Sequence, residues 1–166
     1  MANAVLNMRT DVEHPETGID NKKLIAMNMS ACLSDSYLLM VKTQAYHWNA
    51  VGPLFHSIHL LTEEQYDDLF KAIDVLAERV RALGYPAPTS ITDMISLSEI
   101  EEDVGNPTTE QMVENLIADH EIAARRFRQS AERADSVKDM VSADMLTERL
   151  AFHEKAIWML RAMLAK

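Results

Sequence analysis

Apolar residues recur along most of this chain at helical spacing, and four stretches carry the pattern far enough to predict long helices. The first runs from about Asn21 to Asn49. Leu24, Ile25, Met27, Met29, Cys32, Leu33, Tyr37, Leu38, Val41 and Ala45 track its stripe, and Asp20 or Asn21 can cap its start. The second spans about Leu54 to Leu83, between a Gly52-Pro53 corner and a stop at Gly84 and Pro86. A third starts near Asn106-Pro107-Thr108, where Thr108 and Gln111 can form a capping box, and runs to about Ala134. The fourth begins around Ser142 or Asp144 and continues to the end, with Leu146, Leu150, Phe152, Ile157, Leu160 and Leu164 as apolar positions. Residues 1–20 lack this periodicity, contain Pro15 and Gly18, and read as a flexible tail; 21–166 read as one domain.

Residues 85–107 link the second and third helices. Neighbours in a bundle need about 2–8 residues, so this link is long enough to cross the bundle's length. Its middle, ITDMISLSEIEE, predicts a short helix after Thr89-Ser90. The expected fold is all-α: a four-helix bundle with one long crossover after helix two, the connection pattern of ferritin-like folds.

Composition narrows the class. With 48% apolar and 25% charged residues the chain is globular, and only 4 glycines and 5 prolines interrupt it. A formal charge of −10 opposes general attraction to nucleic acid and favours cations. One cysteine, Cys32, excludes an intrachain disulfide framework and suggests a reducing compartment. Its place in an apolar stripe makes it structural. No signal peptide is visible, and no apolar run approaches the roughly 20 residues of a membrane span. The 11 methionines read as adaptable core filler.

The candidate chemistry lies on the second helix. At about 100° per residue, His59, Glu63, Asp74 and Glu78 fall within roughly a 100° sector. His59 and Glu63 form one near pair, Asp74 and Glu78 another. The pairs stand about 22 Å apart at 1.5 Å per residue, whereas metal–ligand bonds are about 2 Å. A second copy of the helix, antiparallel across a two-fold axis near Asp68 and Leu69, brings each His59/Glu63 pair to the Asp74/Glu78 pair of its partner. His47 precedes the Gly52 corner and His59 follows it, so a hairpin returns both imidazoles to a similar level. The candidate metal ligands are therefore His47, His59 and Glu63 of one chain with Asp74 and Glu78 of another. Imidazole with carboxylate suits iron or manganese better than a thiolate-preferring metal.

Taken singly, each acid reads as a solvated helix face and His59 as a half-buried structural residue; the combination points to metal. His14, His56, His120 and His153 do not join that geometry and read as surface or packing residues. An intrachain di-iron centre built on Glu-x-x-His is unsupported, because no Glu stands three residues before any histidine. No Gly-rich phosphate loop, cysteine cluster or activated nucleophile is present.

The stretch AYHWNAVGPLFHSIHLLTEEQYDDLFKAIDVLAERVRALG resembles the Dps family, the mini-ferritins of starved bacteria, and the likeness extends over about 21–166. His47-Trp48, His59 twelve residues on, an acid four later, and Asp74-x-x-x-Glu78-Arg79 carry it. Glu63 stands where many members have Asp. The resemblance implies a hollow homo-dodecamer with a ferroxidase centre at each two-fold interface. It implies oxidation of Fe(II) to Fe(III), commonly by hydrogen peroxide and otherwise by oxygen, and storage of ferric mineral. It also places Trp48 beside the centre, to quench stray oxidising equivalents or simply to pack the corner. The expected location is the cytoplasm, with nucleoid association left open.

Some members of that family bind DNA through a lysine-rich N-terminal tail. Here residues 1–20 hold one cation, Arg9, against Asp11, Glu13, Glu16 and Asp20, so such contact is not expected. The competing reading is a nucleoid-binding structural protein with incidental metal affinity. Acids near the junction of helices three and four, Asp135, Asp139 and Asp144, are candidates for an iron-entry pore.

Overall fold

The structure, a computed structural model, describes residues 16–165. These residues form five helices and no strand: α1 (Lys22–Asn49), α2 (Phe55–Ala82), α3 (Ile91–Leu97), α4 (Thr109–Ser136) and α5 (Met140–Leu164). The four long helices form the bundle. α1 packs on α2 and α4, α4 packs on α5, and α3 lies on α1 within the crossover. His14 and the expected flexible tail up to residue 15 lie outside the described residues.

Two apolar clusters make the core. Ile25, Met29, Leu33, Leu76, Val80, Phe127 and Leu146 fill one; Leu39, Ile58, Leu61, Leu69, Met112, Leu116 and Leu160 fill the other. By length and composition alone α1 could cross a membrane, which corrects the expectation that no stretch approaches a span. It is instead a core helix here, with 56% of its most apolar window buried inside the bundle.

The helix ends follow from local bonding. Thr108 and Gln111 make the expected capping box. α5 starts earlier than its apolar pattern suggests, because the Asp139 carboxylate accepts from the Ser142 N–H at 3.0 Å and caps it. Asn21 occupies the N-cap position of α1 with φ 52°, but its side chain makes no capping bond. α2 ends as expected at Gly84, whose φ of 92° suits glycine, with Tyr85 N–H returning to the Val80 carbonyl.

The short helix ends at Leu97 rather than running on through SEIEE, because Asp35 takes the next residues. Ser98 Oγ and Glu99 N–H each donate to Asp35 Oδ1 at 2.8 Å, and Arg126 Nε stands 3.2 Å from Asp35 Oδ2. Burial pushes the Asp35 carboxyl up, while Arg126 acts in the opposite direction.

Candidate metal centre

The candidate centre lies at the α1–α2 corner. Gly52, with φ 89°, reverses the chain, and Phe55 N–H closes the turn on the Gly52 carbonyl. Val51 fastens this corner to the start of α4: its N–H donates to Thr109 Oγ1 at 3.0 Å, and that hydroxyl donates back to its carbonyl at 2.6 Å.

The hairpin stacks His47 on His59, with ring centroids 3.8 Å apart and planes 18° from parallel. His47 Nδ1 lies 2.8 Å from the His59 carbonyl, and His59 Nδ1 lies 3.1 Å from the His47 carbonyl. A carbonyl only accepts, so both Nδ1 atoms carry the proton. In the neutral ring Nε2 is then the free lone pair, the arrangement a metal-binding imidazole requires. His47 is buried at 7% exposure, and His59 is half-buried. Thr62 Oγ1 lies 3.3 Å from His47 Nδ1, and Tyr66 meets the His47 ring edge-on at 5.3 Å. Phe55 lies 5.2 Å from His59. Sequence reading passed over these three supports, although Phe55, Thr62 and Tyr66 sit four before, three after and seven after His59, on its side of the helix.

Glu63, Asp74 and Glu78 are all exposed on α2, and none of their side chains makes a hydrogen bond or ion pair with the described residues. One chain therefore brings His47, His59 and Glu63 to one end of the α2 stripe and leaves Asp74 and Glu78 at the other. Among the described residues no group of three or more ligand-type side chains within a single chain could hold a metal ion. Between the two pairs, on the same stripe, stands Phe70 at 67% exposure; Leu60 and Val75 are also exposed along α2. Trp48, next to His47, is 66% exposed.

Other candidates are placed elsewhere. Arg79 turns into the bundle and bonds Asp139 at 2.6 Å and Ser142 Oγ at 2.9 Å. Asp139 is thereby a buried cap, not an acid lining a pore, whereas Asp135 and Asp144 are exposed. His56 is exposed; His120 and His153 are buried in the core. Cys32 is fully buried, its thiol 3.4 Å from Ser130 Oγ, and burial pushes that thiol up to about 12. A cleft of about 780 Å³ between α1 and the crossover is lined by Tyr37, Val41, Tyr46, Ile95 and Asp103 among others, and by no histidine.

Four long helices, a crossover after the second and a histidine–carboxylate stripe at the first corner define a ferritin-like chain. Residues 28–166 match the ferritin-like domain family. The chain belongs to the Dps family of ferritin-like proteins. It is 45% identical over 132 residues to an uncharacterised low temperature-induced protein of Nostoc sp., covering 78% of this chain and 74% of that protein. It is 31% identical to DNA protection during starvation protein 2 of Bacillus anthracis, covering 87% of this chain and 98% of the relative. The solved structure of Dps from Thermosynechococcus elongatus superposes with a TM-score of 0.85 at 32% identity, covering 87% of this chain and 92% of that one.

Proposed function

We propose that this chain oxidises Fe(II) with hydrogen peroxide and stores the ferric product inside a hollow homo-dodecamer, protecting the cell and its DNA in the cytoplasm. The observation that carries this reading is the reciprocal His47–His59 clamp, which leaves two imidazole Nε2 atoms free, with Glu63 four residues beyond His59 on α2. A second copy of α2, antiparallel, supplies Asp74 and Glu78, and the exposed Phe70 between the pairs is an apolar contact for that copy.

Iron is the substrate. Neutral imidazoles and carboxylates suit a cation that passes from Fe(II) to Fe(III), because the harder product gains from the carboxylate oxygens. Two Fe(II) ions held together each give one electron to one peroxide. Those two electrons break the O–O bond and leave two hydroxide ions, so no free hydroxyl radical leaves. Trp48, beside His47, is the chain's candidate for intercepting stray oxidising equivalents.

The test is iron loading. Purified protein mixed anaerobically with Fe(II) and then peroxide should consume Fe(II) faster than buffer and retain ferric iron through gel filtration. Failure of both would leave a structural role with incidental metal affinity.

A further inference from the structure

His120 and His153 meet inside the bundle. Both are fully buried, and their Nδ1 atoms stand 2.9 Å apart, a hydrogen bond from α4 to α5. One Nδ1 must donate and the other accept. The pair therefore holds one ring protonated on Nδ1 and one on Nε2, both neutral.

Their surroundings are poor in help for charge. Phe127 and Phe152 lie 5.0 and 5.2 Å from the His153 ring, and Phe152 lies 5.9 Å from His120. On α4 the pair falls between Leu116 and Ala123, and on α5 between Leu146 and Leu160, separating the two apolar clusters. From α5, Arg149 stacks on Phe152 at 4.2 Å and acts on both imidazoles as a like charge. From α2 comes Asp68, bonded to Arg149 at 2.6 Å. Lys42 of α1 is neutralised by Asp119 of α4 at 2.6 Å. No described protein group accepts from or donates to Nε2 of either histidine.

We propose that His120 and His153 are a proton-operated lock between α4 and α5. Neutral, the pair ties the two helices together. A first extra proton can keep the bond only by entering the bare Nε2 of the donor ring, where it makes a buried cation with no protein acceptor, beside Arg149. A second falls on the bridging Nδ1 and sets two N–H groups face to face. Acid therefore loosens the bundle from within.

Burial first, then Arg149, holds His120 down to about 3; burial first, then His120 and Arg149, hold His153 well below its ordinary value. Unfolded histidines take up protons near 6.5, and the folded pair does not. The lock's contribution is complete above that pH and is lost as pH falls toward the folded values. Asp35 and Asp119 are shifted up, mainly by burial, so their linkage runs the other way and cannot produce this loss.

The experiment is urea unfolding of the full-length protein from pH 7.5 to 4.5, beside a double variant, His120→Leu with His153→Phe. The wild type should take up on the order of two more protons per chain on unfolding than the variant does near pH 5. Parallel curves would overturn the lock. Should the variant not fold, nitrogen NMR of the wild-type imidazoles decides. At pH 5.5, where a free histidine is about nine-tenths protonated, both rings should remain neutral. Protonated rings in the folded protein at that pH would equally overturn it.

Discussion

His47 and His59 hold each other's backbone. Each ring's Nδ1–H bonds the other residue's carbonyl, at 2.8 and 3.1 Å across the α1–α2 corner. Both ring orientations are thus set by one exchange, which also fixes the tautomer that leaves Nε2 free. The same exchange gives each ring a structural role at the corner. Losing one costs a net hydrogen bond, about 1 kcal/mol, which a domain of this size tolerates.

That separation of effects permits a test of the shared centre. Folded His59→Ala and Asp74→Ala proteins should each lose Fe(II) oxidation by roughly 10–100-fold or more, the scale set by disturbing metal sites. Subunits of the two variants, exchanged and confirmed as mixed by mass spectrometry, should regain part of the rate. In a mixed dimer one of the two centres at the two-fold interface collects both lesions and the other is intact. No recovery after proven exchange would mean that the centre lies within one chain.

Arg79 and Asp139 make a second prediction. Asp139 is 1% exposed, caps α5 and pairs with Arg79 from α2. Asp139→Ala removes the cap, worth about 1 kcal/mol, and strands a partly buried guanidinium. The expected loss is about 3 kcal/mol in urea unfolding, with iron oxidation per folded subunit unchanged. Asp135→Asn and Asp144→Asn should stay within about 0.5 kcal/mol of wild type. If Asp139→Ala is equally mild, Asp139 is not a structural cap.

Much of this fold was legible because the four long helices repeat their apolar positions with few breaks, and Gly52, Gly84 and the Thr108–Gln111 box punctuate them. The α2 stripe was legible for the same reason: a rigid helix converts spacing into direction. What escaped depends on contacts between distant segments. Asp35 ends α3 from more than sixty residues away, and Asp139 moves the start of α5 through its own side chain. The pairing of His120 with His153 needs the register of α4 on α5, which no local pattern encodes. The exchange at His47 and His59 needs the corner geometry, although their return to one level was foreseen.

Cys32 supplies a third prediction. Its thiol is fully buried and, through burial, pushed up to about 12, so thiolate is scarce at neutral pH. Alkylation by iodoacetamide at pH 8 should proceed only as fast as the bundle opens. Labelling should be complete in denaturant and at least 100-fold slower in the folded protein. Rapid labelling of folded protein would place Cys32 outside the core.

Protection of DNA by this protein should not require tight contact through its N-terminal tail. A homo-dodecamer would carry about −120, twelve times the formal −10 of one chain, and duplex DNA is itself densely anionic. A cationic arm could overcome that repulsion locally, but residues 1–20 offer Arg9 alone against four acids. Lys22 and Lys23 stand together at the start of α1, a patch too small to release many counterions. Protonation of His14 at lower pH, or bridging by Mg²⁺, adds charge of the right sign, so association is expected only under those conditions. The measurement is a gel-shift titration with untagged protein at about 150 mM salt and pH 7.5, without divalent ions. No shift is expected at micromolar protein, and deletion of residues 1–20 should change nothing. Tight binding that vanishes with the deletion would show that the tail finds an attraction its charge does not provide.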